Sequence, residues 1–418
     1  MPLDDAWATL QSSLATHIKA APLPTESLAS VDALGRVLAA ALSSPVSVPP
    51  LDNSAMDGYA VHAADLSRLA QPGTTLPVAQ RIAAGQVGRA LQPGTVARIF
   101  TGAPVPDGAG AVVMQEHTET AGEDAVRFTQ AVAAGQNIRR RGEDIAEGQR
   151  VLGAGTRLTP ASLGVAASVG AATLSVFARP RLGVLTTGSE LVMPGEPLPP
   201  GAIYNSNRHT LVGLGQACGA RVTDLGVVPD QLEATRAALR AAAAGHDLVI
   251  TSGGVSVGEE DHLRAAVEAE GDLAFWALAI KPGKPFVFGR LRRPDGTHAL
   301  YMGLPGNPVA SYVTFLLLVR PVLGCLAGEG WHLPQALMLP AGFAWPRADK
   351  RREFLRARLD GSGRPVLYPN QGSGVLSSAA WGDGLIDLAP GRTVAPGELV
   401  PWLPLSELLQ PASTMRQG

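Results

Sequence analysis

Apolar runs and helical stretches alternate from residue 181 to residue 328, and no other pattern in the chain restricts its fold as strongly. Strand-like runs at 182–186, 222–228 and 248–251 are separated by helical spacing near 206–218, at 231–244 and at 260–270. Further strands are expected at 275–280, 285–288 and 299–303, followed by a long helix opened by Asn307-Pro308. Such alternation predicts a three-layer α/β domain over 180–328, with a mostly parallel sheet and helices on both faces.

The flanking segments read differently. Trp7, Leu10, Leu14 and Ile18 stand at helical spacing, and Leu28, Val31 and Leu38 repeat the pattern over 25–41. Pro45, Pro49 and Pro50 then stop helix formation. From 47 to 139, short β-like runs alternate with turns such as Pro72-Gly73 and Pro93-Gly94, which predicts an all-β module. Thr159-Pro160 is a cap followed by proline at the first helical position, and the helix it starts is expected to end at Gly170. The β-module is thus inserted into a helical linker domain made of 1–46 and 140–179. Beyond 328, short strands at 354–359, 365–368 and 385–388 predict a small C-terminal β-domain over 329–418. The expected fold is multidomain α/β plus β.

Composition excludes several classes. Hydrophobic residues at 46% and charged residues at 17% rule out a mainly disordered chain. The 48 glycines and 34 prolines have no collagen period. A net charge of -2 gives no footprint for nucleic acid or an anionic membrane. Cys218 and Cys325 supply neither a disulfide framework nor zinc spacing. Residues 1–5 lack a signal-peptide pattern, and the apolar run 311–326, broken by Arg320, Pro321 and Gly324, falls short of the roughly 20 residues of a span. A soluble cytoplasmic protein is expected.

Ligands of open parallel sheets bind at the carboxyl ends of the strands, above all where strand order reverses. Here those ends run into Thr187-Gly188-Ser189-Glu190, Pro229-Asp230, the loop from Ser252-Gly253-Gly254 through Ser256 and Gly258 to Asp261, Lys281-Pro282-Gly283-Lys284-Pro285, and Leu304-Pro305-Gly306-Asn307. Taken singly, each has a plain structural explanation. Asp230 and Asp261 could complement helix starts, 252–258 could be a turn, the two lysines could be solvated, and Asn307 could simply cap. Together, five polar loops on one rim favour a site. Three glycines and two serines suit the phosphate of a ligand, and the prolines around Lys281 and Lys284 fix two cations for a small dianion. In the β-module, the acid- and amide-rich run 52–60 and the Arg139-Arg140-Arg141-Gly142-Glu143-Asp144 run read as a turn and a solvated charge run. His17, His62 and His246 read as surface residues without role, and no Walker loop or catalytic triad is present.

Six segments carry a resemblance. Asn53-Ser54-Ala55-Met56-Asp57-Gly58-Tyr59-Ala60, Thr101-Gly102-Ala103-Pro104-Val105-Pro106, Arg140-Arg141-Gly142-Glu143-Asp144-Ile145, Ser252-Gly253-Gly254-Val255-Ser256-Val257-Gly258, the Lys-Pro-Gly-Lys-Pro run from Lys281 and Gly303-Leu304-Pro305-Gly306-Asn307-Pro308 resemble the molybdopterin molybdenumtransferases, the family of MoeA and the gephyrin E domain. The resemblance implies a homodimer with a shared active site, magnesium as the metal, and molybdate and adenylylated molybdopterin as substrates. It implies roles for Asp57, Thr101 and Asp144 from the β-module and hinge, for Glu190, Asp230 and Asp261 as acids and metal ligands, and for Lys281 as a base-bearing contact. Ser252, Gly253, Gly254, Ser256, Gly258, Lys284, Pro305 and Asn307, with Arg356 and Ser373 from the last domain, are implied as substrate-binding. Many members carry a lysine where this chain has Ala277. A molybdopterin adenylyltransferase and molybdoenzymes are the implied partners, with no nucleic acid and no membrane. Two other readings stay open: the upstream adenylyltransferase itself, and a non-catalytic scaffold that binds a partner peptide.

Overall fold

The computed structural model describes residues 1–254 and 262–409. Its centre is a six-stranded sheet in the order Arg221–Val228, Arg181–Thr187, Leu248–Ser252, His298–Leu304, Pro285–Arg292, Gly271–Ala277. The first four strands run parallel, and the last two join antiparallel. Leu248–Ser252 is buried at every position, as a strand covered on both faces must be. Leu182 and Val184 pack on one side with Leu211 and Leu214 of the helix Ser206–Ala217. Leu185 and Val249 pack on the other with Leu239 of Leu232–Gly245 and Leu263 of His262–Glu270.

The helix that follows the last strand runs from Pro308 to Leu326, and 89% of its most apolar window is buried inside the protein. It is long and apolar enough to cross a membrane, but the core takes up its surface. Arg320, Pro321 and Gly324 interrupt the apolar run but not the helix, and the long helix expected after Asn307-Pro308 forms. A π-helical turn over Phe315–Val319 absorbs the proline, whose missing N–H leaves the Leu317 carbonyl without its helical donor. The Trp7 indole donates to that carbonyl at 2.8 Å. This bond, with Leu3, Ala6, Leu10 and Leu14 in the same apolar cluster, places the helix Leu3–Ala20 in the α/β core rather than in the linker.

The linker is less helical than its periodicity predicts. No α-helix forms over 25–41: Thr25–Ala29 is a strand paired with Thr173–Phe177, Ser30–Asp32 is a single 3-10 turn, and Gly35 adopts a φ of 70° that a helix cannot hold. Val31, which stands at helical spacing with Leu28, is 79% exposed. The expected helix beyond Thr159 does form, over Pro160–Ser168, with the Thr159 hydroxyl accepting from the Ser162 amide at 3.2 Å. The β-module holds a six-stranded sheet around Val61, Val96, Val113 and Phe128. The C-terminal domain holds another, and its outer strand, Ile280–Lys281, is contributed by the α/β domain. His246 is buried, its Nδ1 against the Ala242 carbonyl at 2.8 Å, and is no surface residue.

Close backbone approach explains Gly58 in the β-module. A Cβ there would lie 1.8 Å from the Val113 carbonyl oxygen on the neighbouring strand. Gly58→Ala is expected to destabilise the module by about 3 kcal/mol, read as earlier unfolding and faster proteolysis of that domain. Gly164, inside Pro160–Ser168 with open space around its Cβ position, serves as the contrast. Gly164→Ala is expected to stabilise by about 1 kcal/mol.

Candidate active site

Strand order reverses between Arg181–Thr187 and Leu248–Ser252, and a cleft of about 770 Å³ opens at their carboxyl ends. Ten of the residues singled out from sequence line it: Glu190, Asp230, Ser252, Gly253, Gly254, Lys281, Lys284, Pro305, Asn307 and Ser373. Asp57, Thr101, Asp144 and Arg356 do not. Ser256, Gly258 and Asp261 lie outside the described residues.

For two of these residues the structure shows no capping bond. The helix Leu232–Gly245 has Gln231 at its cap position and no side-chain capping bond, so Asp230 is not a cap. Asn307 occupies the cap position of Pro308–Leu326, yet its carboxamide makes no capping hydrogen bond. The main chain closes the loop after Leu248–Ser252. Gly253 and Gly254 have φ of 93° and 65°, and a Cβ on Gly253 would stand 2.5 Å from the Thr187 carbonyl oxygen. Only glycine meets both conditions.

Ser252 is a scaffold hydroxyl. It donates to the Pro305 carbonyl at 3.2 Å, accepts from Asn207 Nδ2 at 2.8 Å, and lies 3.2 Å from the Ser311 hydroxyl. Asn207 also donates to the Gly306 carbonyl at 2.7 Å, tying the Leu248–Ser252 loop to the Leu-Pro-Gly-Asn-Pro loop. Sequence reasoning passed over Asn207; the Asn205-Ser206-Asn207 run at a helix start was the available signal. Asn205 caps that helix, accepting from the Arg208 amide at 3.2 Å.

The two lysines have separate fates. Lys281 is ion-paired to Glu353 at 3.0 Å and to Asp349 at 3.2 Å, so it is not a free cation. Glu353 raises its pKa above the ordinary value, burial opposes this, and Asp349 adds to the rise. Asp349 is held well below the carboxylate range, first by the Arg351 side chain and amide and then by Lys281. Lys284 is exposed, and among the described residues its ammonium has no ion pair. Arg356, placed by resemblance among substrate contacts, is 1% exposed and stands behind the cleft wall. It donates to Ser378 Oγ at 3.0 Å and to the carbonyls of Phe354 and Gly372, both at 3.2 Å. Burial lowers its pKa to about 10, so it stays charged at neutral pH.

In the β-module, Asp57 accepts from the Thr101 amide at 2.8 Å and hydroxyl at 2.7 Å, which hold its carboxyl below the ordinary range. The charge run is not merely solvated: Asp52 accepts from Arg140 Nη1 at 2.6 Å and from the Arg141 amide at 2.8 Å.

A cleft at the switch point of an open α/β sheet is where α/β enzymes bind their ligands, and here it carries glycine loops together with carboxylates and a lysine that have no ion pair among the described residues. Family models match along the chain: the MoeA N-terminal region (domain I and II) over residues 1–170, a probable molybdopterin binding domain over 183–324, and the MoeA C-terminal region (domain IV) over 338–405. A molybdopterin molybdenumtransferase of Haemophilus influenzae is 40% identical over 410 residues, 96% of this chain and 99% of that one. One of Bacillus subtilis is 37% identical over 344 residues, 80% of this chain and 78% of that one. The crystal structure of the molybdopterin biosynthesis MoeA protein from Pyrococcus horikoshii OT3 matches with a TM-score of 0.79 at 27% identity, covering 96% of this chain and 99% of that one. The chain belongs to the molybdopterin molybdenumtransferase family.

The paired Lys281 predicts a pH dependence. A raised lysine contributes its full stabilisation below its ordinary value of 10.5 and loses it as pH rises through the higher folded value. The lowered Asp349 contributes above its ordinary 3.8 and loses its share as pH falls through the lower folded value. Docking of the C-terminal domain is therefore expected to be flat in pH between those limits. Lys281→Met leaves Glu353, 2% exposed, without its cation. Because the Lys281 side chain is 44% exposed, the loss is expected to be about 1–3 kcal/mol, read as a lower denaturation midpoint that no longer falls on the alkaline side.

Proposed function

We propose that the chain transfers molybdenum from molybdate to the dithiolene of adenylylated molybdopterin, with cleavage of the phosphoanhydride and release of AMP. The observation that carries this reading is the charge pattern of the cleft. The carboxylates of Glu190 and Asp230 line it with no hydrogen-bond or ion-pair partner among the described residues, while nearby charges such as Lys281 and Arg351 are paired. Unpaired charges on a cleft wall fit a ligand that completes them.

The family implies Mg²⁺, and the donor set fits it. Mg²⁺ is held by one or two carboxylates together with water and phosphate oxygens, and no three His, Cys, Asp or Glu side chains converge among the described residues to form an all-protein cage. Glu190 and Asp230 would be the protein's ligands, and the ion would neutralise charge on the phosphoanhydride. The protein's own groups do the rest by position. Gly253 and Gly254 let main-chain amides approach the phosphates, and Lys284 balances anionic charge. Molybdate is a compact dianion, suited to Lys284 and the Ser373 hydroxyl on a loop held by Arg356 through the Gly372 carbonyl.

The placement of Asp57, Thr101 and Asp144 away from the cleft supports a homodimer in which a second copy's β-module completes the site. A cytoplasmic location and handover with an adenylyltransferase and with molybdoenzymes belong to the same reading.

The test is AMP release from adenylylated molybdopterin with Mg²⁺, with and without molybdate. Molybdate-dependent release is expected, and its absence would sink the reading. Glu190→Gln and Asp230→Asn are expected to lower kcat by about a hundredfold with an unchanged melting temperature. Wild-type turnover in both would remove the carboxylates from the mechanism.

A further inference from the structure

A second concavity lies at the opposite end of the central sheet, where the parallel strands begin. It encloses about 190 Å³ between the end of the helix Leu3–Ala20, the crossover 178–181 from the linker into the sheet, and Asp247 and Arg293 at the base of the sheet. Leu23, Pro24, Pro180 and Leu326 give it apolar walls, which weaken the screening of any charge inside.

Its charges do not balance. Asp247 is spent on Arg181, accepting from the amide at 2.9 Å, from Nε at 3.2 Å and from Nη2 at 2.6 Å. Arg293 reaches the same carboxylate only at 3.6 Å. The arginines beside Arg179 hold acids of their own: Arg36 pairs with Glu26, and Arg157 with Glu329. Arg179 donates to the Gly219 carbonyl at 3.0 Å and has no carboxylate partner among the described residues. His17, half-buried at the same opening, has no side-chain hydrogen bond among the described residues. Arg36, Arg157, Arg179, Arg181 and Arg293 thus share Glu26, Glu329 and Asp247. Both spare groups feel the surplus. Burial, then Arg36 and Arg157, lower the pKa of Arg179, with Glu26 opposing. Burial, then Arg293 and Arg290, lower that of His17, with Asp247 opposing and His298 adding. Two groups on separate segments therefore stand in the same positive field. Positive charge without a protein acceptor, in a pocket of this volume, fits a small anion with several oxygens.

We propose that this pocket binds a tetrahedral oxyanion, free or carried as a phosphate ester. The Arg179 donors not used by Gly219 and the His17 ring bind it, and Arg181 and Arg293 add charge from behind. The anion touches the linker crossover, the N-terminal helix and the base of the sheet together, so its binding ties the linker to the α/β domain. The site is remote from the catalytic cleft and does not depend on the transferase reading.

The test is an NMR titration of His17 in the full chain, its signal assigned by its loss in His17→Gln. The probes are sulfate, which stays a dianion throughout, and ribose 5-phosphate, each exchanged for chloride at constant ionic strength. In wild type, bound anion is expected to tighten His17 protonation by about tenfold, because a neighbouring negative charge favours the imidazolium. Arg179→Gln removes an exposed cation that has no acid partner, so its melting temperature should hold or rise while the His17 response is lost. Sulfate matching or exceeding the ester assigns a free oxyanion, a stronger effect of the ester assigns a phosphate ester, and either supports the proposal. No change at His17 with either probe in wild type, or an equal change in Arg179→Gln, would overturn it. Anion held in the catalytic cleft, at the other end of the sheet, leaves the His17 signal in place.

Discussion

The ion pair between Lys281 and Glu353 joins the two halves of the cleft. Glu353 is 2% exposed, and a carboxylate that deeply buried requires a cation beside it. Lys281 supplies it from the stiff Lys-Pro-Gly-Lys-Pro segment, where Ile280–Lys281 also pairs as a strand with Arg352 and Glu353. The charge pair and the strand pairing act at the same place, so the C-terminal sheet can dock in one register only. That register brings Arg351 and the Gln371-Gly372-Ser373 loop onto the cleft wall. Without it, the α/β cleft would lack one side.

A partition of charge follows. Lys281, Arg351, Asp349 and Glu353 are spent on one another, and their pairing is structural. Glu190, Asp230 and Lys284 line the cleft with no ion pair among the described residues. The two lysines stand three residues apart in a repeated Lys-Pro motif, yet their surroundings give them opposite roles. Proximity in sequence says little about which charge is free; the neighbours brought by another domain decide it.

That distinction also marks how far the sequence could be read. The alternation over 181–328 revealed the central sheet because period-2 and period-3.6 patterns are local, and the polar strand ends revealed the cleft because parallel topology places them on one rim. The helix expected over 25–41 failed for the opposite reason. Leu28 and Leu38 pack through pairing with Leu174 and Val176, about 140 residues further on, which no local pattern encodes. Pro321 interrupts the apolar run without ending the helix, and the carbonyl it frees, that of Leu317, finds Trp7 310 residues earlier. Asn207 escaped notice because its work is to tie together two loops whose closeness exists only in the fold.

Arg356 shows what such long-range placement does for a site. Its guanidinium is enclosed, has no carboxylate partner among the described residues, and donates to a hydroxyl and two carbonyls. Burial lowers its pKa only to about 10, so the charge survives at neutral pH. Uncompensated positive charge just behind Gly372 and Ser373 lends the loop in front of it a favourable potential for an anion. Direct contact is not required for that effect. A carboxylate partner would have made Arg356 a better structural residue and a poorer source of field. The cluster of neutral acceptors around it therefore favours the ligand over the fold, and the firm docking through Lys281 and Glu353 is what allows the fold to carry it.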